Sequence, residues 1–144
     1  NKRILSGVPE SLPPLLKAYR MQDKARAVGF DWEEREQVWD KVKEELAEFH
    51  AELDQTLSDP TDAQARAKAE GEFGDVLFSI VNAGRLYDLN PDTALERTCA
   101  KFRRRFTYLE EHTIRQGRDL KDMTLAQMDE IWDEAKALEK EGKL

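Results

Sequence analysis

Apolar residues along this chain recur every three or four positions over long stretches, the period of a helix with one buried face, and strict alternation is nowhere sustained. The pattern predicts five helices. The first begins near Ser11, tolerates Pro13 and Pro14 in its opening turn, and carries Leu15, Leu16, Tyr19 and Met21 toward Gly29. Asp31, followed three residues later by Glu34, has capping-box spacing and opens a second helix that runs to about Leu57, where Ser58-Asp59-Pro60 interrupts it. Thr61 with Gln64 repeats the spacing for a third helix reaching Tyr87 or Asp88. Gly71, Gly74 and Gly84 inside it each cost about 1 kcal/mol relative to alanine. Asn90-Pro91, a cap followed by proline at the first helical position, opens a fourth helix to about Gln116. Thr124 with Gln127 caps a fifth, which ends before Gly142. Residues 1 to 10, with Gly7 and Pro9 and little periodicity, read as a linker or tail, leaving 11 to 144 as a single helical domain without internal repeat.

Composition agrees with an all-α fold. Charged residues make up 37% of the 144 residues against only 7 Gly and 5 Pro, and the periodic runs are rich in Ala, Leu, Glu, Lys and Arg, the strong helix formers. With 40% hydrophobic residues the chain can fill one core. No apolar run approaches the roughly 20 residues of a membrane helix, and no secretory pattern opens the chain, so a soluble protein with no membrane partner is expected. Cys99 stands alone, which excludes an internal disulfide and suits a reducing cytoplasm. It lies on an apolar helical line and is expected to be packed rather than nucleophilic. The start at Asn1 suggests a processed product or a piece of something longer.

The net charge of -7 argues against a nucleic-acid coat, which needs excess Lys and Arg to displace counterions. It hides a local contrast. Glutamates concentrate between Glu33 and Glu52, whereas Lys101, Arg103, Arg104 and Arg105 form a basic knot. On the second helix, Val38, Val42, Leu46, Phe49 and Leu53 make the expected core stripe, with Lys41, Glu45, Glu48 and Glu52 beside it. Glu45 and Glu48 are three apart and project from one face. Glu72 and Asp75, also three apart, lie on a stripe of the third helix that continues through Lys68, Ser79 and Asn82. Two facing pairs would supply four hard oxygen donors, the ligands that Mg²⁺ or Mn²⁺ prefers.

A single pair at this spacing in a glutamate-rich chain reads equally as a solvated helix face. The third helix shifts the balance. From Val76 to Tyr87 it is apolar over most of its circumference, so Glu72 and Asp75 sit at the mouth of a buried segment, where bare carboxylates are costly. The same all-round apolarity predicts packing across a subunit interface, most simply a homodimer.

The segments Lys41-Val42-Lys43-Glu44-Glu45-Leu46-Ala47-Glu48 and Glu72-Phe73-Gly74-Asp75-Val76-Leu77-Phe78 resemble the E-E-x-x-E and E-x-x-D signature of MazG-type nucleoside triphosphate pyrophosphohydrolases. Gly7-Val8-Pro9, Leu12-Pro13 and Val28-Gly29-Phe30-Asp31-Trp32 are similar to the approach to the C-terminal domain of the two-domain members. The resemblance covers almost the whole chain. It implies a dimeric helical domain that binds Mg²⁺, with Mn²⁺ as a substitute, and hydrolyses nucleoside triphosphates to monophosphate and pyrophosphate. It also implies an N-terminal domain in the parent protein. Glu45, Glu48, Glu72 and Asp75 match the family's metal ligands, and with Glu44, also in the motif, make up the catalytic carboxylates. Lys41 and Lys68 match basic positions, each four residues before a ligand, and are implied to bind the substrate. Lys101 and Arg105 on the fourth helix, and Trp132 and Lys136 on the fifth, match pairs that hold the nucleotide.

The implied chemistry is metal-assisted substitution at the α phosphorus, with the general base unassigned. The periodicity places Lys101, Arg105 and Tyr108 on one stripe beside the apolar line Leu95, Cys99, Phe102, Phe106 and Leu109, while Arg103 and Arg104 point elsewhere and read as solvated. His50 and His112 lack the Glu-x-x-His spacing of di-iron bundles, and no G-x-x-x-x-G-K loop is present. Two alternatives stay open: a helical dimerisation or regulatory module without catalysis, and a related pyrophosphatase restricted to a pyrimidine deoxynucleotide.

Overall fold

A computed structural model describes residues 3–144. The first two residues of the expected 1–10 tail lie outside them. Five α-helices account for most of the chain, with no strand among the described residues: α1 (Pro14–Ala27), α2 (Arg35–Ser58), α3 (Ala63–Arg85), α4 (Pro91–Arg115) and α5 (Leu125–Lys140). Short 3-10 turns occupy Ile4–Gly7 and Leu120–Asp122. The first of these packs against α1, and Val8 after it is buried. The chain separates into two compact units, Asn1–Thr93 and Ala94–Leu144.

In the first unit, α2 and α3 form an antiparallel hairpin across a turn held by Asp59, whose Oδ1 accepts from the backbone N–H of Thr61 at 3.1 Å and from its hydroxyl at 2.6 Å. Those two bonds hold the Asp59 carboxyl below the usual carboxylate range. The core of the pair is Val38, Val42 and Ala83, with Leu86 against it. Helix α1 docks on α3, where Gln22 donates from Nε2 to the carbonyl of Phe78 at 2.8 Å. In the second unit Leu109, Met123 and Ile131 form a separate cluster with Tyr108, Leu120 and Met128.

The caps of α4 and α5 are those the sequence predicts: Asn90 accepts from the N–H groups of Asp92 and Thr93, and Thr124 with Gln127 closes a capping box. Three other starts move. Helix α1 begins at Pro14 rather than near Ser11. The box of α2 is Glu34 with Gln37, one spacing later than Asp31 with Glu34, because the Asp31 carboxylate is held by the buried Arg85 at 2.9 Å. The cap of α3 is Asp62, which accepts from Gln64 and Ala65, while Thr61 is engaged with Asp59.

The expected apolar stripes are only partly covered within one chain. On α2, Val38 and Val42 are buried, Phe49 and Leu53 half-buried, and Leu46 exposed; Glu45 and Glu52 take the remaining buried positions. On α3, Ala69, Val76, Val81 and Ala83 are buried but Phe73, Leu77, Phe78 and Ile80 are exposed. Phe73 stacks on Phe49 with ring centroids 5.2 Å apart. On α4 the line from Leu95 is buried only at Leu109; Phe102 stays 58% exposed and Cys99 is exposed rather than packed. Among the described residues no helix is long and apolar enough to cross a membrane.

Candidate metal centre

The hairpin explains how carboxylates 30 residues apart in sequence can share one cation. Each helix offers two acidic residues three apart on a single face, and antiparallel packing sets those faces against each other. Carboxylate oxygens of Glu45, Glu72 and Asp75 lie within 4.8 Å of one another. Glu45 is buried, Glu72 half-buried and Asp75 exposed, so the cluster opens on one side. Lys41 Nζ stands 2.8 Å from Glu45 Oε1 and 3.7 Å from Glu44 Oε1. This hydrogen bond to Glu45, opposed by partial desolvation, raises the lysine above its ordinary value.

Glu48 is exposed next to the cluster. Its carboxyl is pushed above the ordinary value chiefly by the charge of Glu45, then by desolvation and by Glu72, a direct sign of crowded negative charge. Glu45 Oε2 and Glu72 Oε2 are shielded from solvent and have no hydrogen-bond partner. A shielded acceptor left bare costs about 1–3 kcal/mol, more when charged, and a cation removes that cost. The donors are oxygens only, which suits a hard divalent ion and not a soft one. The residues therefore fit a divalent metal.

Lys68 points its ammonium to Glu52, with Nζ 3.3 Å from Oε2. In the second unit the Arg105 guanidinium is forked on Glu139, Nε to Oε1 at 2.5 Å and Nη2 to Oε2 at 3.4 Å, and Arg104 adds a contact at 3.2 Å. Arg104, expected to be solvated, is thus paired. These bonds, Arg105 first, outweigh desolvation and hold the Glu139 carboxyl below its ordinary range. The Arg105 guanidinium is 6.0 Å from the centroid of the Trp132 ring, which packs on Phe102 at 5.2 Å. Trp132 and Lys101 are half-buried and Lys136 exposed. Tyr108 donates to Glu134 at 2.7 Å, which together with desolvation raises its phenol. Sequence reasoning gave Glu52 and Glu139 no role; their helical spacing from Glu48 and from Lys136 was the available signal.

No protein-family model matches the chain. It is 38% identical over 125 residues to the nucleoside triphosphate pyrophosphohydrolase/pyrophosphatase MazG of Thermotoga maritima, across 87% of this chain and 45% of that protein. It is 36% identical over 135 residues to the nucleoside triphosphate pyrophosphohydrolase of Escherichia coli K12, across 94% of this chain and 49% of that protein. The chain belongs to the MazG family. A third relative, the uncharacterized protein YabN of Bacillus subtilis, is 49% identical over 71 residues, 49% of this chain and 14% of its own length. This MazG domain spans about half the length of the two MazG relatives it matches, in their C-terminal halves. Of the MazG signature residues, the hairpin brings Glu45, Glu72 and Asp75 together and leaves Glu48 exposed beside them. Glu44 is exposed and touches the cluster only through Lys41.

Proposed function

We propose that this MazG domain hydrolyses nucleoside triphosphates to monophosphate and pyrophosphate with Mg²⁺, or Mn²⁺ in its place, held by Glu45, Glu48, Glu72 and Asp75. The observation that carries the reading is the convergence of three carboxylates from two helices within 4.8 Å, two of them with a shielded, bare oxygen. The names of the Thermotoga and Escherichia relatives support the reaction. When bound, the ion neutralises phosphate charge and acidifies water.

The chain's own residues supply the rest. Lys41, already tied to Glu45, orients that carboxylate. Glu44 lies at the rim, outside the ligand set, as an acceptor for a proton from the attacking water. Lys101, Arg105, Trp132 and Lys136 hold the nucleotide, with Lys and Arg meeting phosphate and Trp132 the base. Lys68 adds positive charge on α3. Residues 11 to 144 work as one catalytic domain, as a homodimer that covers the exposed apolar faces of α2, α3 and α4, in the cytoplasm and next to an N-terminal domain of the parent protein.

The test is release of pyrophosphate from each of the eight common nucleoside triphosphates, with Mg²⁺ and with excess chelator. The expected outcome is metal-dependent release from several of them. Release from one pyrimidine deoxynucleotide alone would move the domain to a restricted pyrophosphatase. No release from any, by folded protein, would leave a helical interaction module.

A further inference from the structure

Lys68 stands one helical turn before Glu72 on α3, the spacing at which a lysine and a glutamate of one helix pair. On α2 the same spacing is used, since Lys41 Nζ reaches Glu45 Oε1 at 2.8 Å. On α3 it is not. Lys68 crosses the hairpin to Glu52 Oε2 at 3.3 Å, while Glu72 Oε2 stays shielded and without a partner. Glu52 accounts for the difference. It is only 8% exposed, Lys68 is its one ion-pair partner among the described residues, and its other oxygen finds no donor. A shielded carboxylate with a single cationic neighbour holds that neighbour tightly, because losing it leaves an uncompensated charge.

We propose that Glu52 is a positioning residue that draws Lys68 away from Glu72 and so keeps Glu72 free for a divalent cation. The inference rests on the metal-centre reading of Glu45, Glu72 and Asp75. An ammonium on Glu72 would occupy an oxygen the cation needs and would repel the ion as well, so both effects lower affinity.

The test is direct binding of Mn²⁺ to nucleotide-free protein, followed by electron paramagnetic resonance or calorimetry, in the wild type, Glu52→Gln, Lys68→Met and the double variant. Glu52→Gln is expected to weaken Mn²⁺ binding by about fivefold, the scale of one freed ion pair. Lys68→Met alone should bind as tightly as the wild type or tighter. The double variant should return to the wild-type level, since removing the lysine removes the competitor.

Unchanged affinity in Glu52→Gln overturns the proposal. So does a loss that persists in the double variant, because it would mark Glu52 as merely structural. If Glu52→Gln does not fold, Glu52→Asp, which keeps the charge and shortens its reach, carries the same comparison with and without Lys68→Met. Glu72→Gln separates the two levels of argument: if it binds Mn²⁺ as well as the wild type, the metal-centre reading itself fails.

Discussion

Three acidic residues of the hairpin, Glu45, Glu52 and Glu72, are placed where their charge is costly unless something answers it. Glu45 is answered by Lys41 on one oxygen only, and Glu48 is held above its ordinary value by its neighbours. If metals on these groups act on developing charge, Glu48→Gln or Asp75→Asn should lower turnover by a hundredfold or more, the ~3 kcal/mol that preorganised electrostatics usually supplies. Steady-state kinetics with circular dichroism as a folding control measures this. Near-normal turnover by both folded variants would reduce the acidic faces to solvated surface. Lys101→Ala should instead weaken apparent nucleotide affinity with a smaller loss in turnover. Arg105→Ala is less clean, because it also frees Glu139. Glu139 itself makes a pH prediction. Its folded value is depressed, so the stability it contributes is complete above the ordinary value of 4.5 and is lost as pH falls through the lower folded value. In thermal melts, the gap between wild type and Glu139→Gln should be widest near neutrality and close in acid. A gap that widens in acid would contradict the pairing.

Helix α2 is aimed by contacts outside its own sequence. Arg85, 5% exposed, holds Asp31 at 2.9 Å and Asn82 at 2.9 Å, tying the approach to α2 onto the end of α3. Asp31→Ala should therefore cost about 3 kcal/mol in urea denaturation, since it strands a buried guanidinium. A loss within the range of a surface pair would show that water replaces the carboxylate. The same pair shows why caps were legible at some helices and not at others. Asn90 and Thr124 have no rival use, and they cap as their spacing predicts. Around α2 and α3 several acceptors crowd together, and tertiary partners choose among them: Arg85 takes Asp31, Asp59 takes Thr61, and the caps pass to Glu34 and Asp62. The candidate site divides similarly. Spacing along one helix was enough to put Glu45 with Glu48 and Glu72 with Asp75. The pairs Glu52–Lys68 and Arg105–Glu139 depend on the register between helices and on rotamers, which a single helical period does not encode.

For the whole molecule, the deciding observation is how much apolar surface one chain leaves open. Phe73, Leu77, Phe78 and Ile80 on α3 and Leu95 and Phe102 on α4 are all exposed, large apolar side chains of the kind an interaction face presents. A dimer that covers these faces should scatter light with the mass of two chains at micromolar concentration, and Ile80→Glu should shift it toward one. A wild-type monomer with full activity would sink the dimer. The α2–α3 hairpin has a different consequence, for folding kinetics. Its two helices are joined by only the residues between Ser58 and Ala63, so closing that loop is entropically cheap and fast. The carboxylates that approach within 4.8 Å all come from these two helices, and the core of the pair is built from their own side chains. The cluster can thus assemble as soon as the hairpin docks, without waiting for distant segments, and an ion added early in refolding would find its ligands already gathered.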